Sequence, residues 1–226
     1  MGFATIPSPE QCGYFGNFAS HGSCTLPSLL YKTAHKPLCI TPTWSRQIFR
    51  LLGCGNMGRN GAVLADMRLN EIPLVTIDGA STSLTEYDGK VKLIVNVASR
   101  CGLAPQYEKL EALQKEYGDR GFTVLGFPSN QFLQELGTTD AIKDYCSTTW
   151  GVTFPMFEKI KVNGKSQHPL YAELTKTPDA AGKSGKVKWN FEKFVVTPDG
   201  SVHRFRSHTE PDDPAIIGLI ESTLPS

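Results

Sequence analysis

The sequence predicts an α/β domain, a central mixed β-sheet flanked by helices, and three observations predict it. Two continuous apolar runs of strand length, Val91–Val97 and Phe122–Phe127, read as strands buried on both faces. Segments of helical period alternate with them, one opening at Pro105 and one over Thr138–Thr149. A Pro198-Asp199-Gly200 turn between Lys193–Thr197 and Ser201–Phe205 marks an antiparallel hairpin, which makes the sheet mixed.

The elements follow in order. Leu74–Ile77 before Asp78-Gly79 is a short strand running into a turn. In Val91–Val97 only Lys92 and Asn96 interrupt the apolar run. Pro105 suits the first turn of a helix, whose Leu110, Leu113 and Tyr117 share one stripe and which Gly118 and Gly121 close. In Thr138–Thr149, Thr138 or Thr139 caps the helix ahead of Asp140, and Ile142, Tyr145 and Cys146 point inward. Pro214–Leu224 is a closing helix. The order strand, helix, strand, helix, hairpin, helix matches the thioredoxin-like fold. That fold carries many chemistries, so function has to be argued from the site.

Up to about residue 66 the chain lacks periodicity and is scattered with Gly, Pro and Ser, so the expected division is a poorly structured extension over 1–66 and one domain over 67–226. The extension holds five bases, Lys32, Lys36, Arg46, Arg50 and Arg59, against Glu10 and Asp66. Such an acid-poor leader fits an organelle transit peptide, a disordered extension, or an upstream stretch outside the native product, with Met67 as a natural start. The opening has no base before Lys32 and so does not read as a secretory signal; the cytoplasm is the default location.

Composition excludes several classes. A net charge of +1 with 23 bases and 22 acids offers no field for nucleic acid or an anionic membrane surface. No run reaches the roughly 18 apolar residues a membrane helix needs. Six cysteines, none in a CxxC pair, argue against a zinc ribbon or a vicinal dithiol. Nothing calls for a metal, haem or flavin cofactor.

Cys101 lies between the buried strand Val91–Val97 and the helix near Pro105. Unsatisfied backbone N–H groups at a helix N-terminus favour the thiolate, the nucleophilic form, and Arg100 adds to the effect. Position alone fits a reactive thiol and an inert buried one equally.

The residues around it carry a resemblance. Gly89-Lys90-Val91-Lys92-Leu93-Ile94-Val95-Asn96-Val97-Ala98-Ser99-Arg100-Cys101-Gly102 is similar to the first signature of glutathione peroxidases. Leu125-Gly126-Phe127-Pro128-Ser129-Asn130-Gln131-Phe132 resembles the second, and Trp189-Asn190-Phe191-Glu192-Lys193-Phe194 the third. Similarity covers nearly all of residues 70–224. The resemblance implies a peroxidatic Cys101 held by Gln134, Trp189 and Asn190, donors that stabilise the thiolate and the departing oxygen.

It also implies a cysteine-dependent, thioredoxin-linked branch of bacterial type, in which Cys101 forms a sulfenic acid, Cys146 resolves it as a disulfide, and thioredoxin reduces the pair. Cys146 starts in a helix that must unwind locally for the sulfurs to meet. Alternatives are a one-cysteine enzyme reduced by glutathione and a peroxide sensor that passes oxidation to a partner protein. A peroxiredoxin is disfavoured because Ala98 stands where that pattern wants Thr or Ser. The short stretch from Tyr171 to Trp189 leads to the expectation of a monomer or weak dimer.

Departures from the family pattern matter as well. Ala104 replaces a usual Thr, Ser129 stands where members often have Cys, and the loop Leu133-Gln134-Glu135-Leu136-Gly137 is one residue short. Gln134 is therefore the expected catalytic glutamine and Gln131 the fallback.

Overall fold

The computed structural model describes residues 68–225, so the extension over 1–66 and its cysteines lie outside the described residues. Strands β1 (Leu74–Val75) and β2 (Ser81–Thr82) form a small antiparallel ribbon. The main sheet contains β3 (Val91–Val97), β4 (Phe122–Pro128), β5 (Lys193–Val196) and β6 (Val202–Phe205) in the order β4-β3-β5-β6. β3 pairs in parallel with β4 and antiparallel with β5, so the sheet is mixed, as the thioredoxin-like reading requires.

Every residue of β3 and β4 is buried, because both faces of the sheet are covered. Val91, Leu93, Val95 and Val97 look into one core, which they share with helices α1 (Gln106–Tyr117), α2 (Thr139–Trp150) and α4 (Pro214–Thr223). Ile94 faces the other, among Leu125, Phe127, Phe157 and residues of the short helix α3 (Pro169–Leu174). A continuous hydrophobic run in sequence is thus two alternating half-cores in space.

α1 follows Pro105 and buries Gln106, Tyr107, Leu110, Glu111, Leu113 and Tyr117. α2 is anchored more lightly, burying only Ile142 and Cys146 of its twelve residues. Thr138 caps α2 by accepting from the Ala141 N–H at 3.3 Å. Gly151, with φ of 61°, ends the helix in the left-handed region that glycine tolerates. Among the described residues, no helix is long and apolar enough to cross a membrane.

The short strand expected at Leu74–Ile77 is present as β1, whereas α3 and β2 fall outside the elements expected from the sequence. A helix of six residues and strands of two are too short to establish a period; His168 at the cap and Pro169 at the first turn were the available signal for α3.

Candidate active site

Cys101 sits just past β3, one of the two inner strands of the sheet, in a tight turn that leads into α1. The turn is closed by the Ala104 N–H donating to the Cys101 carbonyl at 2.9 Å. The Leu103 N–H donates to Cys101 Sγ at 3.4 Å. The thiol is therefore not at the first residue of α1 but over the turn that precedes it, and a backbone N–H of that turn addresses the sulfur. The side chain is 6% exposed.

Two further segments close on this strand end. The loop after β4 is fastened by the Arg100 N–H, which donates to the Gln134 carbonyl at 2.8 Å, and by the Ser99 N–H, which donates to Glu135 Oε1 at 3.1 Å. The same Glu135 oxygen accepts from the Leu136 N–H at 2.7 Å, while Asn130 Oδ1 accepts from the Glu135 N–H at 3.1 Å. The segment before β5 is held by Asn96: its Nδ2 donates to the Trp189 carbonyl at 3.1 Å, and its Oδ1 accepts from the Glu192 N–H at 3.1 Å. The backbone of Asn96 also accepts from the Phe191 N–H at 2.6 Å.

These clamps bring two of the expected residues together. Asn190 Nδ2 donates to Gln134 Oε1 at 2.9 Å, so the shortened loop still delivers its glutamine to the asparagine. Gln131, the fallback, is committed elsewhere: its Nε2 donates to the Asn163 carbonyl at 2.9 Å and its Oε1 accepts from the Asn163 N–H at 2.6 Å. Trp189 lies at the rim, 40% exposed, with its ring 5.2 Å from that of Phe132.

Buried charge fixes the Trp189 segment from behind. Glu192 accepts from Arg204 Nε at 2.6 Å, Arg206 Nη1 at 2.8 Å and the Lys188 N–H at 3.0 Å. Arg204 in turn donates to the carbonyls of Thr175, Thr177, Gly185 and Lys186, which folds the Tyr171–Trp189 stretch onto β6. Lys193 is fully buried, donates to the Phe191 carbonyl at 2.7 Å, and is pushed down to about 7 by burial.

Cys146 is 2% exposed and is a free thiol, as is Cys101. Its S–H donates to the Tyr107 hydroxyl at 3.6 Å, and burial pushes the thiol up to about 11. Tyr107 spans the site: its ring meets Phe191 edge-on at 5.3 Å and lies 6.1 Å from Trp150 of α2. Sequence reasoning passed over Asn96, Glu135 and Tyr107, whose roles arise from partners 36 to 96 positions distant. The polar interruption at Asn96 in an apolar strand was the one visible signal among them.

A cysteine at the end of an inner strand of a thioredoxin-like sheet, with side-chain amides gathered at the same end, defines a thiol-dependent redox domain. The family model for glutathione peroxidase matches residues 69–175. The thioredoxin/glutathione peroxidase BtuE of Escherichia coli K12 is 51% identical over 169 residues, which span 66% of this chain and 92% of that protein. The hydroperoxy fatty acid reductase gpx1 of Synechocystis is 51% identical over 155 residues, with coverage of 66% and 90%. Among solved structures, that of Trgpx in its apo form has a TM-score of 0.53 and 40% identity, covering 70% of this chain and 99% of that one. Trypanosomal T. cruzi GPX1 has a TM-score of 0.53 and 30% identity, covering 70% and 94%. The chain belongs to the glutathione peroxidase family, and it is a thiol peroxidase.

Proposed function

We propose that the peroxidase runs a two-cysteine cycle in which Cys101 reduces hydrogen peroxide and organic hydroperoxides, Cys146 resolves the product, and thioredoxin restores both thiols. The observation that carries the reading is the convergence of Gln134 and Asn190, hydrogen-bonded at 2.9 Å, on the strand end that bears Cys101.

The Cys101 thiolate attacks one peroxide oxygen, forming an S–O bond as the O–O bond breaks. The electron pair leaves with the distal oxygen, which takes up a proton and departs as water or an alcohol. The amides and the Trp189 indole N–H are suited to stabilise charge at the sulfur and on the departing oxygen. In the second step α2 opens, the Cys146 thiolate attacks the sulfenic sulfur, and an S–S bond replaces the S–O bond as hydroxide leaves and is protonated. A thioredoxin dithiol then exchanges twice with the disulfide, becoming a disulfide itself and returning both thiols.

Light anchoring of α2 supports the opening, since two buried side chains hold it. The Escherichia coli relative, named for both reductants, is compatible with thioredoxin or glutathione. A one-cysteine cycle reduced by glutathione is the second reading, favoured by the depth of Cys146 and by its thiol being held protonated at about 11.

The test is peroxide-dependent NADPH oxidation by the full chain, coupled to thioredoxin and its reductase or to glutathione and its reductase. Cys101→Ser is expected to lower turnover by more than about a thousandfold with either reductant. Cys146→Ser is expected to lower thioredoxin-linked turnover by roughly a hundredfold while still consuming one equivalent of peroxide. Thioredoxin-linked turnover that survives Cys146→Ser, or turnover seen only with glutathione, rejects the two-cysteine cycle.

A further inference from the structure

Phe191, which directly follows Asn190 of the amide pair, has a left-handed backbone with φ of 62°. A side chain with a β-carbon is disfavoured in that conformation, so its surroundings must hold it there. Three contacts do. The ring is fully buried against Tyr107, the N–H donates to the Asn96 carbonyl at 2.6 Å, and the carbonyl accepts from Lys193 Nζ at 2.7 Å.

The third contact comes from a charge in an unfavourable place. Lys193 opens β5, is fully buried and, among the described residues, makes no ion pair. Glu192 and Glu210 both attract it, but Arg204 and Arg206 bind Glu192 directly, and Lys109 stands 3.4 Å from Glu210. A cation desolvated without a counter-ion of its own destabilises the fold, and an apolar side chain of similar length would fill the same space without that penalty. The second partner of the ammonium shows what it joins. The Ser207 carbonyl, just past β6, lies 3.5 Å from Lys193 Nζ and also accepts from Gln106 Nε2 at 3.0 Å. Gln106 is the first residue of α1, the helix into which the Cys101 turn leads. One ammonium thus ties the segment that carries Asn190 to the helix start that follows Cys101.

We propose that Lys193 is a positioning residue for peroxide reduction: its ammonium holds Phe191 in the left-handed conformation and so sets Asn190, and with it Gln134, at the strand end that bears Cys101. The inference rests on the proposed part of the amide pair in the first step and identifies what holds that pair in place. Lys193 acts through the Phe191 backbone, and small errors in the placement of such groups cost rate steeply. Its hold is a charge-assisted hydrogen bond while the lysine keeps its proton, up to about pH 7, and an ordinary, weaker one above that.

The experiment is single-turnover oxidation of the prereduced full-length protein by hydrogen peroxide, which needs no reductant, compared between pH 6 and 9 for Lys193→Met, Asn190→Ala and the double variant. At pH 6, Lys193→Met is expected to slow oxidation of Cys101 about tenfold, the loss of one hydrogen bond to a charged donor. By pH 9, where the unsubstituted protein holds a neutral amine, the deficit is expected to shrink to about twofold. In the Asn190→Ala background, Lys193→Met is expected to change the rate by less than about twofold, because the group it positions is gone. The urea midpoint of Lys193→Met at pH 6 is expected to hold or rise, since a buried charge has been removed.

An unmoved rate in Lys193→Met overturns the proposal. An equal slowing with and without Asn190 also overturns it, and would assign the lysine to a direct effect of its charge on the thiolate. A lowered urea midpoint at pH 6, or failure to fold, would make the lysine part of the scaffold and has the same consequence. Failure of the parent reading looks different: Asn190→Ala would then be oxidised as fast as the unsubstituted protein.

Discussion

Helices α1 and α2 are both twelve residues long and both pack on the same core, yet they are held very differently. α1, which leads away from Cys101, buries six side chains, including Tyr107, Leu110 and Leu113. Its Glu111 takes the Thr153 N–H and hydroxyl at 2.8 Å each. α2, which carries Cys146, buries two. At about 1.5–3 kcal/mol for each fully buried aliphatic side chain, α2 is within reach of local opening while α1 is bound to global stability. The difference gives each cysteine the mobility its proposed step requires: Cys101 reacts in place, and Cys146 has to travel.

The largest effect that would break this contrast is energetic. Leu110→Ala in α1 is expected to lower global stability by about 2–5 kcal/mol, read from urea unfolding, because the cavity lies in a helix that opens only when everything does. Ile142→Ala in α2 should cost less globally, yet speed disulfide formation between Cys101 and Cys146 after peroxide addition. Equal global costs with unchanged disulfide formation would show that α2 does not open separately.

Proton linkage gives a second, intermediate test. Unfolded lysine keeps its proton to about pH 10.4, whereas buried Lys193 loses it at about 7. Between these values the unfolded chain binds more protons, so stability rises with pH from 7 towards 9. Cys146 has the opposite sign: its thiol, pushed up to about 11 from an ordinary 9.0, keeps its proton in the fold after the unfolded chain has lost it. Above pH 9 that contribution falls, and it falls at α2. Hydrogen exchange should therefore show α2 losing protection relative to α1 between pH 9 and 10, and Lys193→Met should flatten the rise in urea midpoint between pH 7 and 9.

The smallest effect sharpens the comparison from the other side. Thr148, exposed on α2, bonds back to the Asp144 carbonyl. Thr148→Ala should raise helix propensity by about 0.5 kcal/mol and slow disulfide formation about twofold. Disulfide formation that ignores this substitution would mean that helix opening is not the slow step.

Much of the scaffold was legible. Val91–Val97 was placed to the residue because a strand covered on both faces must be apolar throughout. The second helix shifted by one residue, to Thr139–Trp150, since Thr138 and Thr139 are equally good caps on paper and the geometry selects Thr138. The site was legible in part. Gln134 and Asn190 came from motif order, and the structure joins them. Glu135, Tyr107 and Asn96 were not expected, because each acts through a partner distant in sequence.

The sequence by itself determined the α/β, thioredoxin-like class, the family, and the two thiols most worth testing, because periodicity and ordered motifs are local properties of the chain. Tertiary structure decided which glutamine reaches Asn190, how firmly each cysteine's helix is held, and that a buried phenylalanine sits in a strained conformation beside the amide pair. Those properties depend on which surfaces meet when the chain closes, and burial, strain and hydrogen-bond partnership exist only after it has.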